Sequence, residues 1–222
     1  MGLLVSCRLA SPLAGDPPYL DALLEHLMAA IHGESIAMRR ELPCPPPGWI
    51  HIPMTRATIG GWSVPECSAP VMSVVRSDRH EYYAKRFAAD ETDLVAPEQR
   101  RVIAVGNGTL KSYRLPNRVR RVERIAWICR GHRRPILQLL RRAKSIGKDR
   151  SQGYGRVAEW TAEHVDCDDW WFSRHDAGSV LMRSLPACDE LPRDLIGFRR
   201  DYGACVGPLW HPDRYTELVV PC

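Results

Sequence analysis

Paired cysteines, long apolar runs and internal repeats are all missing from this 222-residue chain. Each absence closes a class. The eight cysteines, Cys7, Cys44, Cys67, Cys129, Cys167, Cys188, Cys205 and Cys222, contain no Cys-x-x-Cys spacing. A structural zinc site takes its ligands in tight pairs, so no metal is expected, and reduced, mostly buried thiols are. No apolar run approaches the about 20 residues of a membrane span, so no membrane partner is expected. The opening Met1-Gly2-Leu3-Leu4-Val5-Ser6-Cys7-Arg8 lacks the charged and long apolar regions of a secretory signal. It predicts a strand entering a cytoplasmic fold. With 45% hydrophobic residues in a mixed pattern and no low-complexity tract, the chain is expected to be globular.

Acidic residues are almost missing from one stretch. Residues 100–156 hold 17 Lys/Arg against Glu123 and Asp149, a local excess of 15 within a chain of net charge +5. The remainder therefore sums to −10 and is expected to face solvent or a basic neighbour. Most of the basic residues are Arg, which forks onto phosphate and stacks on bases. A polyanion, nucleic acid first, is the expected partner.

Periodicity gives a coarse map. A helix is expected after Gly15, with Asp16 as its cap, Pro17 at its first position, an apolar stripe through Leu20, Leu23, Leu24, Leu27, Met28 and Ile31, and Gly33 as its stop. Pro43 to Gly48 reads as an extended turn, and residues 49–54 and 69–76 as strands separated by Gly60-Gly61. Segment 77–101 is expected to be half helical, best from Glu81 to Ala89. Arg101 to Arg114 reads as a hairpin about Gly106-Asn107-Gly108, followed by a strand over 119–129. A second helix is expected over 134–145, with Arg141 and Arg142 on its outer face. Gly147 ends it, Tyr154 to Trp160 leaves as a strand, and short strands follow about Trp170-Trp171-Phe172 and Val180-Leu181-Met182. The aromatic cluster is core or a subunit interface, with core the expectation for at least two of the three. The order predicts an α+β fold with a mostly antiparallel sheet.

The loop Ile146-Gly147-Lys148-Asp149-Arg150-Ser151-Gln152-Gly153-Tyr154-Gly155-Arg156 holds most of the chemistry. It is no Walker loop: the order is helix, loop, strand, and no Lys-Ser/Thr follows the second glycine. A dinucleotide fingerprint fails because no Gly-x-Gly-x-x-Gly follows a strand. A plain glycine-rich connection would need neither Lys148 and Arg150 inside it nor Arg156 after it. Glycine N–H groups can cradle a phosphate, and Ser151 and Gln152 can reach phosphate or base edges. Tyr154 is either a stacking or hydrogen-bonding group or an anchor for the strand. Arg141, Arg142 and Lys144 either line the approach or form a solvated basic face.

These residues, with Ser11-Pro12-Leu13, Lys85-Arg86-Phe87 and Lys111-Ser112-Tyr113-Arg114, resemble the CRISPR-associated RAMP superfamily. Within it the pattern resembles the type IV (Csf) effector subunit of the Cas-five kind, loosely over 3–160 and closely over 144–160. The resemblance implies a ferredoxin-like βαββαβ domain over 1–160, with a β-hairpin thumb inserted within about 77–124, and C-terminal strands over 161–222 completing the domain. It implies a subunit that grips the 5′ handle of CRISPR RNA beside a backbone subunit and a large subunit, with target DNA nearby. The RNA-binding set it implies, read together with charge, is Lys111, Tyr113, Arg114, Arg118, Arg120, Arg121, Arg141, Arg142, Lys144, Gly147, Lys148, Arg150, Ser151, Gln152, Gly153, Tyr154, Gly155 and Arg156.

Some relatives cleave CRISPR RNA without metal, which needs a general base and donors for the phosphorane. His51, His132, Lys111, Tyr113 and Lys148 form no motif for it, and type IV systems by resemblance use a separate processing subunit. A non-catalytic binder without cofactor is expected, with a metal-independent endoribonuclease as the alternative. No helix-turn-helix spacing supports a DNA-binding regulator.

Overall fold

The computed structural model describes residues 2–31, 50–85, 113–207, 209 and 212–222, and among them two α-helices and fifteen strands form. In chain order the elements begin β1 (Gly2–Leu9), β2 (Leu13–Ala14), α1 (Leu20–Ile31), β3 (Arg56–Ile59), β4 (Trp62–Pro65), β5 (Val71–Met72), β6 (Ser77–Lys85) and β7 (Tyr113–Arg121). They continue β8 (Arg124–Cys129), α2 (Arg133–Leu140), β9 (Val157–Val165), β10 (Phe172–His175), β11 (Gly178–Leu181), β12 (Leu185–Pro186), β13 (Leu195–Ile196), β14 (Phe198–Gly203) and β15 (Thr216–Pro221). The fold is α+β, built mostly of antiparallel sheets, and is compatible with a ferredoxin-like fold.

The central sheet runs β5-β8-β1-β9, with every neighbour antiparallel. Alternation decides what it buries: Leu3, Val5 and Cys7 of β1 and Ile125, Trp127 and Cys129 of β8 all point into the core. Leu20, Leu23 and Leu24 of α1 and Ile136, Leu139 and Leu140 of α2 join them. Truncating one such leucine to alanine costs about 2–5 kcal/mol in comparable cores. Trp127 and Trp160 stack at 6.0 Å and spend their indole N–H groups on Pro18 O and Ala143 O.

Helix α1 starts later than its expected cap. Pro18 disfavours helical geometry at Pro17, so Tyr19 O accepts the first helical bond, from Leu23 N–H. Asp16 instead pairs with Arg120. Helix α2 stops at Leu140, short of 145, because Arg142 and Ala143 bond three residues back and tighten the last turn. The chain then runs extended against the start of β9, with Ser145 opposite Arg156.

Three strand expectations change. Ser77–Lys85 is a strand, not a half-helix, because it pairs along its whole length with β7 and carries the strand-favouring Tyr82 and Tyr83. The single strand expected over 119–129 is two strands in different sheets. Val119, Val122 and Ile125 are spaced by three, a phase no flat strand sustains, and the break at Val122-Glu123 restores alternation. Of the described residues in 49–54 and 69–76, only Val71–Met72 lies in a strand, while Met54 makes an isolated bridge to Gly131. Gly60 and Gly61, both at positive φ, turn the β3–β4 hairpin. The turn at Pro43–Gly48, the stop at Gly33, Arg86, Phe87, Lys111 and the turn Gly106-Asn107-Gly108 lie outside the described residues.

A second core gathers Ile59 and Val64 of the β3–β4 hairpin with Leu181, Leu185, Cys205, Val206, Leu218, Val219 and Val220. Trp170 is buried, and Trp171 and Phe172 are half-buried and pack against this core. Arg183 joins the two cores. Fully buried, it donates to Pro65 O, Cys67 O, Cys205 O and Asp21 Oδ2, and lies over the Tyr19 ring. The seven cysteines among the described residues are free, and burial pushes the Cys7 and Cys129 thiols up to about 12. Among the described residues no helix is long and apolar enough to cross a membrane.

Candidate nucleic-acid interface

The glycine loop is shaped by close packing. Gly147, Gly153 and Gly155 all sit at positive φ, and one 3₁₀ turn, Arg150–Gln152, lies between them. A Cβ on Gly155 would stand 1.8 Å from Ile146 O, and one on Gly147 would stand 2.7 Å from Ala14 O. Only glycine fits either place. The N–H groups of Gly153 and Gly155 are spent on Arg150 O and Pro12 O. They are therefore not the phosphate cradle expected from the sequence, because the chain uses them to close the turn.

Three anchors hold the loop. The Ser11 hydroxyl donates to Gly153 O and accepts from Arg156 N–H, both at 2.8 Å. Asn117 of β7 donates to Asp149 at 2.5 Å. The Tyr154 hydroxyl donates to the Glu81 carboxylate of β6. That bond holds Glu81 below, and Tyr154 above, their ordinary ranges. Of the two roles open to Tyr154, anchoring is the one the geometry shows. Ser11 stood in the Ser11-Pro12-Leu13 motif, but its anchoring role, like those of Glu81 and Asn117, escaped sequence reasoning because the partners are distant in the chain.

What remains exposed is charge. Arg141, Arg142, Lys144, Lys148, Arg150 and Arg156 are all exposed, and none has an acid within salt-bridge reach among the described residues. Backbone pairing brings them together. Ile146 and Gly155, and Lys144 and Val157, are hydrogen-bonded across the loop, so the segment that follows α2 lies beside Arg156. The Lys148 stem runs over Gly15, where a Cβ would lie 2.9 Å from it. Ser151 and Gln152 are exposed at the tip.

The β6–β7 ribbon carries the rest of the expected set unevenly. Arg120 is turned inward, 5% exposed, with its guanidinium on Asp16 Oδ1 and Gly15 O. It is thereby removed from the interface. Arg118 is exposed but forks onto Asp78, whose carboxyl it holds below the usual range. Arg114 lies 3.9 Å over the Tyr82 ring, and Tyr113 faces Tyr83 at 6.0 Å. Arg121 is exposed and has no acid in reach among the described residues, while Lys111 lies outside them.

Between the end of β1 and the base of the ribbon lies a cleft of about 520 Å³. Two of its arginines, Arg76 and Arg79, fall outside the basic stretch and were not expected. No hydrogen bond joins His51 or His132 to Tyr113 or Lys148 among the described residues. No metal-holding group of three or more His, Cys, Asp or Glu occurs among them either.

A family model described as CRISPR type IV associated protein Csf3 matches residues 67–195. The match omits the first strand and first helix and runs past residue 160, where sequence reasoning found little resemblance. No curated protein matches the chain.

Proposed function

The chain belongs to this Csf3 family of type IV CRISPR-associated proteins, a Cas5-like subunit, and from that premise we propose that it caps the 5′ handle of CRISPR RNA without catalysing its cleavage. The family points to a CRISPR effector complex. In that setting the partners are the guide RNA, a backbone subunit and a large subunit, with target DNA nearby and the whole in the cytoplasm. The observation that carries the reading is the cluster of six exposed cations about the glycine loop, with no acid in salt-bridge reach among the described residues. Unneutralised cations on a fixed backbone attract a polyanion and release its counterions.

The topology supports the same reading. Taking β1, β5, β8 and β9 as the first to fourth strands, α1 falls between the first and second and α2 between the third and fourth. Their sheet order of second, third, first, fourth is that of a ferredoxin-like βαββαβ domain. The paired β6 and β7 then form the inserted thumb, tied to the loop through Tyr154–Glu81 and Asn117–Asp149. A single-stranded handle is read by base edges, stacking and 2′-hydroxyls. Ser151, Gln152, Tyr82 and Tyr83 are the exposed groups near enough in the fold to contribute.

The test is binding of repeat RNA carrying the 5′ handle against a scrambled RNA of equal length, by the chain alone and in its assembled complex. Preference for the handle in the complex is expected, and equal affinity there sinks the handle reading. The same RNA incubated in EDTA decides the enzyme question, where cleavage at one site would establish the endoribonuclease instead.

A further inference from the structure

Resting on the RNA-binding reading, we propose that the cleft between the end of β1 and the base of the β6–β7 ribbon holds one phosphate of the bound strand, with Arg121 as its ligand. At about 520 Å³ the cleft lies within the size range of small-ligand sites. Leu9, Val119 and Val122 give it an apolar floor. Ser11 stands in its wall, and the same Ser11 hydroxyl bonds the glycine loop on both sides of Tyr154. The cleft and the cluster of cations therefore share one short segment, and a strand lying on the loop meets the cleft next.

Charge pairing singles out Arg121. Arg76 is 2.8 Å from Glu123, and Arg79 is paired with Glu81, so each is already neutralised. Glu123 lines the cleft and would repel a phosphate, but its charge is matched by Arg76. Arg121 faces the same space with no acid in reach among the described residues. One net positive charge suits one phosphodiester. The described residues lining the cleft include no aromatic ring, which suits a grip on ribose-phosphate rather than on a base.

The measurement is a salt titration of binding with the full chain and a synthetic RNA of its own CRISPR repeat. It compares the native protein with Arg121→Gln, and is repeated with single methylphosphonate linkages at each position and with 5′-hydroxyl or 5′-phosphate ends. Losing one phosphate contact should make the log–log slope shallower by about 0.7 and weaken binding about fivefold at 0.1 M salt. One linkage, internal or terminal, should weaken binding to the native protein and have no further effect in Arg121→Gln, and its position identifies the phosphate. If every linkage behaves alike in both proteins while the handle still binds, the cleft assignment is wrong and the handle reading stands. If neither the native chain nor its assembled complex binds repeat RNA, both fall together.

Discussion

Between α1 and the C-terminal strands the guanidinium groups of Arg56 and Arg183 are paired and shielded, whereas six cations around the glycine loop are exposed and have no acid in reach among the described residues. Arg183 and Asp21 are 1% and 5% exposed in their side chains, and Arg56 and Glu25 are 15% and 13%. The first region spends its arginines on internal order. The second leaves them unspent, at a site whose backbone is locked by glycine packing. Net charge along the sequence cannot tell these uses apart, because it counts Arg120 and Arg150 alike, although only one of them reaches solvent.

The sharpest way to break the comparison is at Arg183. Replacing it with Ala leaves the Asp21 charge buried without its partner and takes a donor from Cys67 O and Cys205 O, while Pro65 O keeps the Trp171 indole N–H. We expect a loss of about 3–5 kcal/mol, seen as a lower denaturation midpoint. Asp21 Oδ1 and Arg183 Nε already lack hydrogen-bond partners among the described residues, so the pair is imperfectly satisfied. The double variant Asp21→Leu with Arg183→Met should therefore recover much of the loss. A single variant as stable as the native chain would show that this ion pair joins nothing.

At the loop the effect should fall on binding and spare stability. Changing Lys148, Arg150 and Arg156 together to Ala removes three contacts, which at about 0.7 each makes the salt slope shallower by about 2 and weakens RNA binding about 100-fold at 0.1 M salt. Three exposed bases outside residues 100–156, such as Arg174, Arg193 and Arg199, should do far less when changed together. Equal losses would mean a diffuse field rather than a site.

The internal lattice also sets a pH dependence. Burial, with Asp21 adding to it, raises Glu25 from 4.5 to about 7 against the pull of Arg56 and Arg183. A raised carboxyl binds its proton more tightly in the folded state, so stability should fall as pH climbs from about 4.5 to 7 and level off above. Glu25→Gln should flatten that slope and raise stability at pH 8 by roughly 2 kcal/mol, measured by denaturant titration across pH. An unchanged slope would place the titration elsewhere.

Much of this could be read before the structure, and the reasons for the failures are specific. The apolar stripe of α1 and the glycine loop with its cations depend on local chemistry, so spacing alone revealed them. The extent of α1 did not follow, because the geometry around Pro17-Pro18 outweighed the capping signal at Asp16. Strand β6 looked half helical because its pairing partner β7 lies across residues 86–112, and no local window contains both strands. Ser11, Glu81 and Asn117 entered the site through long-range bonds. Arg120 left it for the same reason: its fate is decided by Asp16, far away in sequence.

The finest contrast lies within the loop, between two glycines that the sequence presents as equivalents. Gly155 is crowded against Ile146 O, whereas a Cβ on Gly153 would meet nothing within 4 Å. Both have positive φ, so both substitutions carry the left-handed backbone cost of about 1–2 kcal/mol. Gly153→Ala should cost little beyond that and keep RNA binding, because Arg150 and Arg156 remain in place. Gly155→Ala must also displace the strand that holds Lys144 to Val157, so it should lose binding with stability. If both variants fold equally well, the loop is held by something other than close packing, and its cations cannot be treated as a fixed array.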